Sequence, residues 1–398
     1  MAEDEIGTEK TVRHTRTRER LPKTFYAFYY AAAACFMPFL PLYYAQIGLN
    51  GDQIGLLVGI PSVLVLIGGA LWGALADASG RHRLALASAI VGSMIFSQVL
   101  SITRDFLWLI PLVLVLAFFM APIVPLVDHA VMELLGEQRR RYGKVRLWGG
   151  VGWGLTGPLI GWIVEQHGLG WSFYGYFLLM LGCLLIVLKL PLQGAAIAGP
   201  FGGGLKRLLT DRRWHLFLFL AFVGGLGSGF AFHYLFLYME EIGASRSTMG
   251  WTLSVATLSE LIAFALAERC IRRWGTRRVL LTGVFVSLLR LAAYAVATEP
   301  WQALAAQLLH GPSFALMWIA GVSWANRLAP EGMGATAQGL FSGVNFGLGG
   351  TAAALIGGAL YERVGAVSMY GWATLGTLVG LALYLAAERL VGRGVESE

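Results

Sequence analysis

Gly73-Ala-Leu-Ala-Asp77-Ala-Ser-Gly80-Arg81-His-Arg83 joins two long apolar runs, and its reading decides the fold. A small residue, a carboxylate, a turn glycine and two cations fall within one very short link. Nearly everything on either side is hydrocarbon-like. Charges and open backbone groups cannot be left unsatisfied in lipid, so the link must lie at a membrane surface. Two cations in so short a loop place it on the cytoplasmic side.

Composition agrees. Of 398 residues, 57% are apolar and 13% charged, and the mean hydropathy is +0.64. A soluble chain carries about a quarter charged residues. The apolar runs are about twenty residues long, enough to span a bilayer as a helix. They lack the period-two alternation of a membrane β-barrel strand. The expected fold class is an all-α membrane protein. The net charge of +7 does not mark a nucleic-acid partner. Most of the 30 Lys and Arg lie in alternate loops and tails, against Arg104, Arg246 and Arg363 in the other set. That bias places both termini in the cytoplasm of a cell-membrane protein. Residues 1–23 read as a disordered cytoplasmic tail rather than a signal peptide, having no apolar core or cleavage site. Cys35, Cys183 and Cys270 show no metal-ligand spacing, and no cofactor is expected.

Twelve spans are expected, at roughly 24–47, 53–75, 84–103, 106–129, 145–165, 171–190, 214–239, 247–268, 277–297, 301–326, 334–360 and 367–388. A Gly-rich, basic break at 191–213 reads as a cytoplasmic linker. It separates six-helix bundles at 24–190 and 214–390, and a short tail follows at 391–398. The halves echo each other. Ala74-Leu-Ala-Asp77 ends one span and Ala265-Leu-Ala-Glu268 another. Each is followed by a glycine (Gly80, Gly275) and a basic pair (Arg81 and Arg83; Arg277 and Arg278). Internal duplication of this kind is a transporter architecture. Small residues at helical contact spacing, such as Gly69 and Gly73, Gly150 and Gly154, and Gly339, Gly343 and Gly347, read as close packing between helices.

The opening stretch resembles the loop signature of the major facilitator superfamily, Gly-x-x-x-Asp-x-x-Gly-Arg followed by a basic residue, with Gly73, Asp77, Gly80, Arg81 and Arg83 at its positions. The resemblance implies two pseudo-symmetric six-helix bundles with substrate bound near the midplane between them. It also implies that these five residues form a gate, in which the aspartate faces span 11.

An ionisable group at mid-bilayer costs about 2.5–3.5 kcal/mol on insertion scales, so each one in a span calls for a reason. Asp128, Arg146, Glu260, Arg290, His233 and His310 are such groups. Each half holds an acid and a base, Asp128 with Arg146 and Glu260 with Arg290. One reading is two salt bridges that fix helix packing. The other is a polar cavity that binds a polar solute and passes a proton. Arg146-Leu-Trp-Gly-Gly-Val-Gly-Trp153 resembles the span 5 segment of the lactose permease family of proton symporters, and Thr257-Leu-Ser-Glu260-Leu resembles its span 8 segment. Arg290 and His310 keep that family's spacing, and Met37-Pro-Phe-Leu-Pro-Leu-Tyr43 matches its span 1 double-proline segment. The resemblance implies substrate contacts at Asp128, Arg146, Trp153 and Glu260, with His233 and Asn345 at further substrate positions. It implies proton coupling through Glu260, Arg290 and His310. Three features depart from the family: Ser313 stands at its acidic proton carrier, His233 stands at its span 7 aspartate, and its span 11 lysine has no counterpart, Asn345 and Phe346 occupying that region. The stretch Tyr142–Gly149 is shared with the phenylpropionate and nucleoside permease-like branches.

The expected function is therefore secondary transport, by alternating access, of a small polar or aromatic solute such as a sugar, nucleoside or aromatic acid, with proton symport. Proton-driven export of amphiphilic drugs is the alternative. No enzyme motif is present, and a monomer suffices.

Overall fold

The computed structural model describes residues 2–190, 210–330 and 333–395, apart from the side chains of 2–18, 63, 65–67, 70, 77, 137, 139, 335 and 391–395. Most of the expected linker at 191–213 lies outside the described residues. Those described form helices joined by short turns, with no strand among them.

Twelve helical spans follow in order. α1 is Ala2–Phe36, continued through the turn Met37–Phe39 into Leu40–Gln46. α2 is Gly51–Ser79 and α3 is His82–Ile102. α4 comprises Phe106–Met120 and Ile123–Leu135. α5 is Tyr142–His167, α6 is Gly170–Val187, α7 is Arg212–Glu241, α8 is Arg246–Trp274 and α9 is Thr276–Val296. α10 comprises Pro300–Ala306, the turn Gln307–Leu309 and His310–Leu328. α11 begins at Gly334–Ser342, passes through a π-helical stretch at Gly343–Gly349, and ends at Gly365, whose φ of 77° breaks Gly350–Val395 in two. α12 is the remainder. Nine helical stretches among the described residues are long and apolar enough to cross a membrane, one of them holding both α11 and α12.

The residues expected to form an irregular tail at 1–23 are helical from Ala2 onward. They are rich in Glu, Lys and Arg, good helix formers, and Lys23 pairs with Glu19 one turn away at 2.8 Å. Buried Glu19 also meets Arg141 at 3.1 Å.

The breaks within spans have local causes. Pro38 and Pro41 supply no N–H and interrupt α1, and Pro122 does the same in α4. At three helix starts a polar residue takes up exposed helix N–H groups. Asp105 accepts from Leu107 and Trp108, Asp211 from Arg213 and Ser245 from Thr248. Glu241 accepts from Ala366 N–H at 2.8 Å, at the start of α12.

The chain divides into two compact units, residues 1–37 with 67–197, and 38–66 with 198–398. The boundary differs from bundles at 24–190 and 214–390. The second half of α1 and the first half of α2 group with the later helices because a backbone seam holds them there. Gly51 N–H donates to Glu362 Oε2 at 2.6 Å, and Thr351 Oγ1 donates to the Gly59 carbonyl at 3.2 Å.

In the first unit α1 lies directly on α5. A Cβ at Gly152 would stand 2.0 Å from the Ala27 carbonyl oxygen, so only glycine allows this approach. Gly73 and Gly339, expected at helix contacts, face open space instead. The repeated loop pattern is visible in both units. Gly80 (φ 63°) and Gly275 (φ 80°) turn the chain after α2 and α8. Arg83 then donates to the Leu190 carbonyl beyond α6 at 2.8 Å, and Arg277 forks onto Glu388 near the end of α12.

Candidate functional site

Each unit holds one cluster of polar groups within its spans. In the first unit, Tyr26 and Tyr30 lie one turn apart on α1 and face Arg146 of α5. Its guanidinium sits 4.4 Å from the Tyr30 ring centroid and 5.1 Å from that of Tyr26. It donates to the Tyr30 hydroxyl, while Tyr26 donates to Asp128 Oδ1. Arg146 Nε stands 3.9 Å from the same Asp128 oxygen, a loose pair. Tyr142 lies one turn before Arg146 on the same helix. Gly149 makes room for the Tyr30 ring, since a Cβ there would meet it at 2.7 Å.

Asp128 and Arg146 are each 32% exposed, so the cluster has an accessible side. Trp153 is half-buried, two helical turns beyond Arg146 on the same face of α5. A guanidinium fork, a carboxylate, phenol hydroxyls and an indole together suit a solute bearing hydroxyl or carboxylate groups and a flat ring or sugar face.

The second unit holds a tighter cluster. Arg290 of α9 is buried, and its guanidinium divides among three partners. Nε donates to the Tyr294 hydroxyl at 2.9 Å, Nη1 to His310 Nδ1 at 2.9 Å and Nη2 to Gln307 Oε1 at 2.8 Å. Because arginine can only donate, Nδ1 accepts, and a neutral His310 carries its hydrogen on Nε2. That nitrogen faces Glu260 Oε2 of α8 at 3.6 Å. Tyr294 in turn packs among Tyr238 and Tyr370, closing the far side of Arg290 from water. Glu260 and His310 remain accessible, at 30% and 24% exposure. His310 also stacks on Phe314, which meets half-exposed Phe346; Phe346 meets Trp318 in turn.

The acid and base of this half, which one of the two readings paired directly, are bridged by His310. Arg290 holds the imidazole, and the imidazole presents a hydrogen toward the carboxylate. Two other expected site residues stand apart. His233 lies edge-on to Phe232. Asn345 is fully buried and donates to the Ala221 carbonyl at 2.8 Å, tying the π-helical stretch of α11 to α7. As placed, it offers no surface to a solute.

Sequence reasoning passed over Tyr26, Tyr30, Tyr142, Tyr294 and Gln307. The signal was helical spacing. Tyr26 and Tyr30, Tyr142 and Arg146, and Arg290 and Tyr294 are each four apart, and Gln307 precedes His310 by three. Of the loop residues after α2, Arg83 caps the end of α6, Arg81 N–H donates to Ser79 Oγ at 3.3 Å, and Gly80 makes the turn. The Asp77 side chain lies outside the described residues.

Among the described residues, twelve helical spans with ionisable clusters inside them are the architecture of a multi-pass membrane protein, and the family and relatives it matches make it a transporter of small solutes. The chain belongs to the MFS_1 like family, which matches residues 21–372. It is 29% identical over 374 residues to the maltose permease of Geobacillus stearothermophilus, covering 92% of this chain and 94% of that one. It is 28% identical over 349 residues to the probable 3-phenylpropionic acid transporter of Escherichia coli K12, covering 85% and 90%. The crystal structure of the nucleoside transporter NupG superposes with a TM-score of 0.81 at 16% identity, over 93% of this chain and 98% of that one. The fold is the twelve-helix fold of major facilitator transporters, and the family and these relatives are transporters rather than enzymes.

The three-way fork on Arg290 yields a stability prediction. Hydrogen bonds to a charged group contribute about 1.5–3 kcal/mol each, and lysine's single ammonium cannot reproduce the planar fork. Arg290→Lys should lower unfolding stability by about 2 kcal/mol or more. Thermal or denaturant unfolding in detergent measures this, and an unchanged midpoint would remove Arg290 from its structural role.

Proposed function

We propose that the protein is a proton-coupled symporter of the cytoplasmic membrane, with both termini in the cytoplasm. It carries a small polar or aromatic organic solute, a sugar, nucleoside or aromatic acid, inward by alternating access, and one chain suffices. The observation that carries this reading is the chain Arg290–His310–Glu260, a fixed cation, an oriented imidazole and a carboxylate inside membrane spans. A structural ion pair needs no bridging imidazole and no accessible carboxylate. A proton site needs both, a group that can be neutralised and a neighbour that responds when it is. With Ser313 at the family's acidic position, Glu260 is the acid within reach of His310, and it exchanges the proton.

Asp128, Arg146 and Trp153, with Tyr26 and Tyr30, bind the solute. Arg146 supplies a planar fork for hydroxyl or carboxylate oxygens and Trp153 a stacking face. Relatives named for maltose, 3-phenylpropionic acid and nucleosides fit that set of groups. Gly73, Asp77, Gly80, Arg81 and Arg83 serve as the gate.

In reconstituted vesicles, Glu260→Gln should abolish uphill accumulation driven by a pH gradient while sparing solute exchange at equal concentrations. Retained uphill accumulation would reject the proton role. Proton release from the lumen on adding solute, in place of uptake with it, would favour the drug-export reading. A thermal-shift screen of sugars, nucleosides and aromatic acids identifies the solute for these assays. Asp77→Asn should slow transport severalfold with solute affinity nearly unchanged in the same preparations, and wild-type transport rates would remove Asp77 from the gate.

A further inference from the structure

α10 breaks at the residues that hold Arg290, and the break is filled by a side chain from another helix. In an unbroken helix Gly311 N–H would bond to the Gln307 carbonyl, four residues back. Here the Gln307 carbonyl takes the N–H of His310, three residues on. Gly311 N–H donates instead to Ser259 Oγ of α8 at 2.9 Å, and Ser259 Oγ lies 3.2 Å from the Gln307 carbonyl oxygen. A hydroxyl is thus spliced into the backbone ladder of a neighbouring helix. Pro312, which has no N–H, follows at once, so the ladder cannot re-form in the next position. The helices touch backbone to backbone: a Cβ on Gly311 would lie 2.1 Å from the Ser259 carbonyl group. Ser259 and Gln307 are buried, so water does not compete.

The serine has one hydrogen and two carbonyls within reach. Its oxygen stands 2.8 Å from Ala256 O in its own helix and 3.2 Å from Gln307 O in α10. Either carbonyl can take the hydrogen while the oxygen keeps Gly311 N–H. Its chain neighbours are the groups of the cluster. Glu260 follows Ser259, His310 precedes Gly311, and the Gln307 side chain holds Arg290.

We propose that Ser259 is a positioning residue. Its hydroxyl sets the register of α8 against α10, and so the separation of Glu260 from His310 and the orientation of the imidazole. The 3.6 Å between Glu260 and His310 is longer than a hydrogen bond. Rotation of the intact serine O–H from Ala256 O to Gln307 O lets α10 shift by a fraction of an ångström without stranding Gly311 N–H. The functional part of this inference rests on the reading of Glu260 and His310 as the proton site.

The test reads His310 directly and needs no solute. Full-length protein labelled with 15N-histidine in lipid vesicles is examined by solid-state NMR, with His310 assigned by loss of its signals in His310→Asn. Wild-type protein should show a neutral ring with one acceptor nitrogen and one N–H nitrogen at well-separated shifts. Ser259→Ala should draw the two resonances toward a common value, as the ring loses its fixed tautomer. Ser259→Thr, which keeps the hydroxyl, should restore the separation. Ser93→Ala, at a buried serine bonded to Ile90 O in its own helix, should leave it unchanged. Ser259→Cys, close in size and weak in hydrogen bonding, carries the same expectation as the alanine variant should that one fail to fold. A Ser259→Ala or Ser259→Cys spectrum matching wild type would overturn the inference, as would equal displacement in Ser93→Ala. The transport assay on Glu260→Gln tests the proton role separately. Unaltered uphill transport there, beside displaced His310 resonances, would sink the symport reading and leave the splice standing.

Discussion

Hydrocarbon offers no partner to an N–H, a carbonyl or a charge, so a polar group inside a span must find one in the protein or in trapped water. Arg290 meets that constraint with three side-chain acceptors from its own helix and from α10. Once those acceptors are committed, the geometry around them is nearly determined. Gln307 must stay at the break in α10, Tyr294 must stay one turn along α9, and His310 must present its remaining nitrogen outward to Glu260. The same reasoning holds in the first unit, where two tyrosines of α1 divide between Asp128 and Arg146.

The two clusters differ in how fully the constraint is met. Arg290 is nearly sealed, whereas Arg146 and Asp128 are about a third exposed and their separation of 3.9 Å leaves the pair loose. A sealed arginine orients its neighbours. A loose, accessible pair keeps hydrogen-bonding capacity for something else, and that difference is the ground on which different roles are proposed for the two clusters. The helix breaks follow the same logic. Irregular backbone occurs where a proline removes an N–H or where a side chain from a neighbouring helix enters the ladder. Ser259 does this in α10, and Asn345 ties the π-helical part of α11 to α7.

The twelve spans were legible because hydrocarbon thickness fixes their length and because Gly80 and Gly275 mark equivalent turns. Asp128, Arg146, Glu260, Arg290 and His310 were legible because charge in an apolar run is conspicuous. Tyr26 and Tyr30 were not, since span 1 holds many aromatics and composition does not say which face Arg146. The bridge through His310 was hidden for a similar reason: pairing by sign joins Glu260 to Arg290 and gives no place to a neutral ring. The Asn345 contact was not legible either, since a polar residue in a span does not announce that its amide will donate to the Ala221 carbonyl of α7. The division of α1 and α2 between units was also invisible, because it depends on contacts such as Gly51 with Glu362, distant in sequence.

The central claim is that both clusters face water inside the membrane-embedded protein rather than lipid. Cys35, Cys183 and Cys270 can be replaced, and single cysteines introduced by Trp153→Cys, Glu260→Cys and, as a lipid-facing reference, Leu159→Cys on the exposed apolar face of α5. Labelling in membranes with a charged, water-soluble maleimide and with a lipid-soluble one measures the surroundings of each. The account predicts that positions 153 and 260 react with the charged reagent and position 159 only with the lipid-soluble one. Reaction at 153 and 260 that follows the pattern of 159 would contradict it.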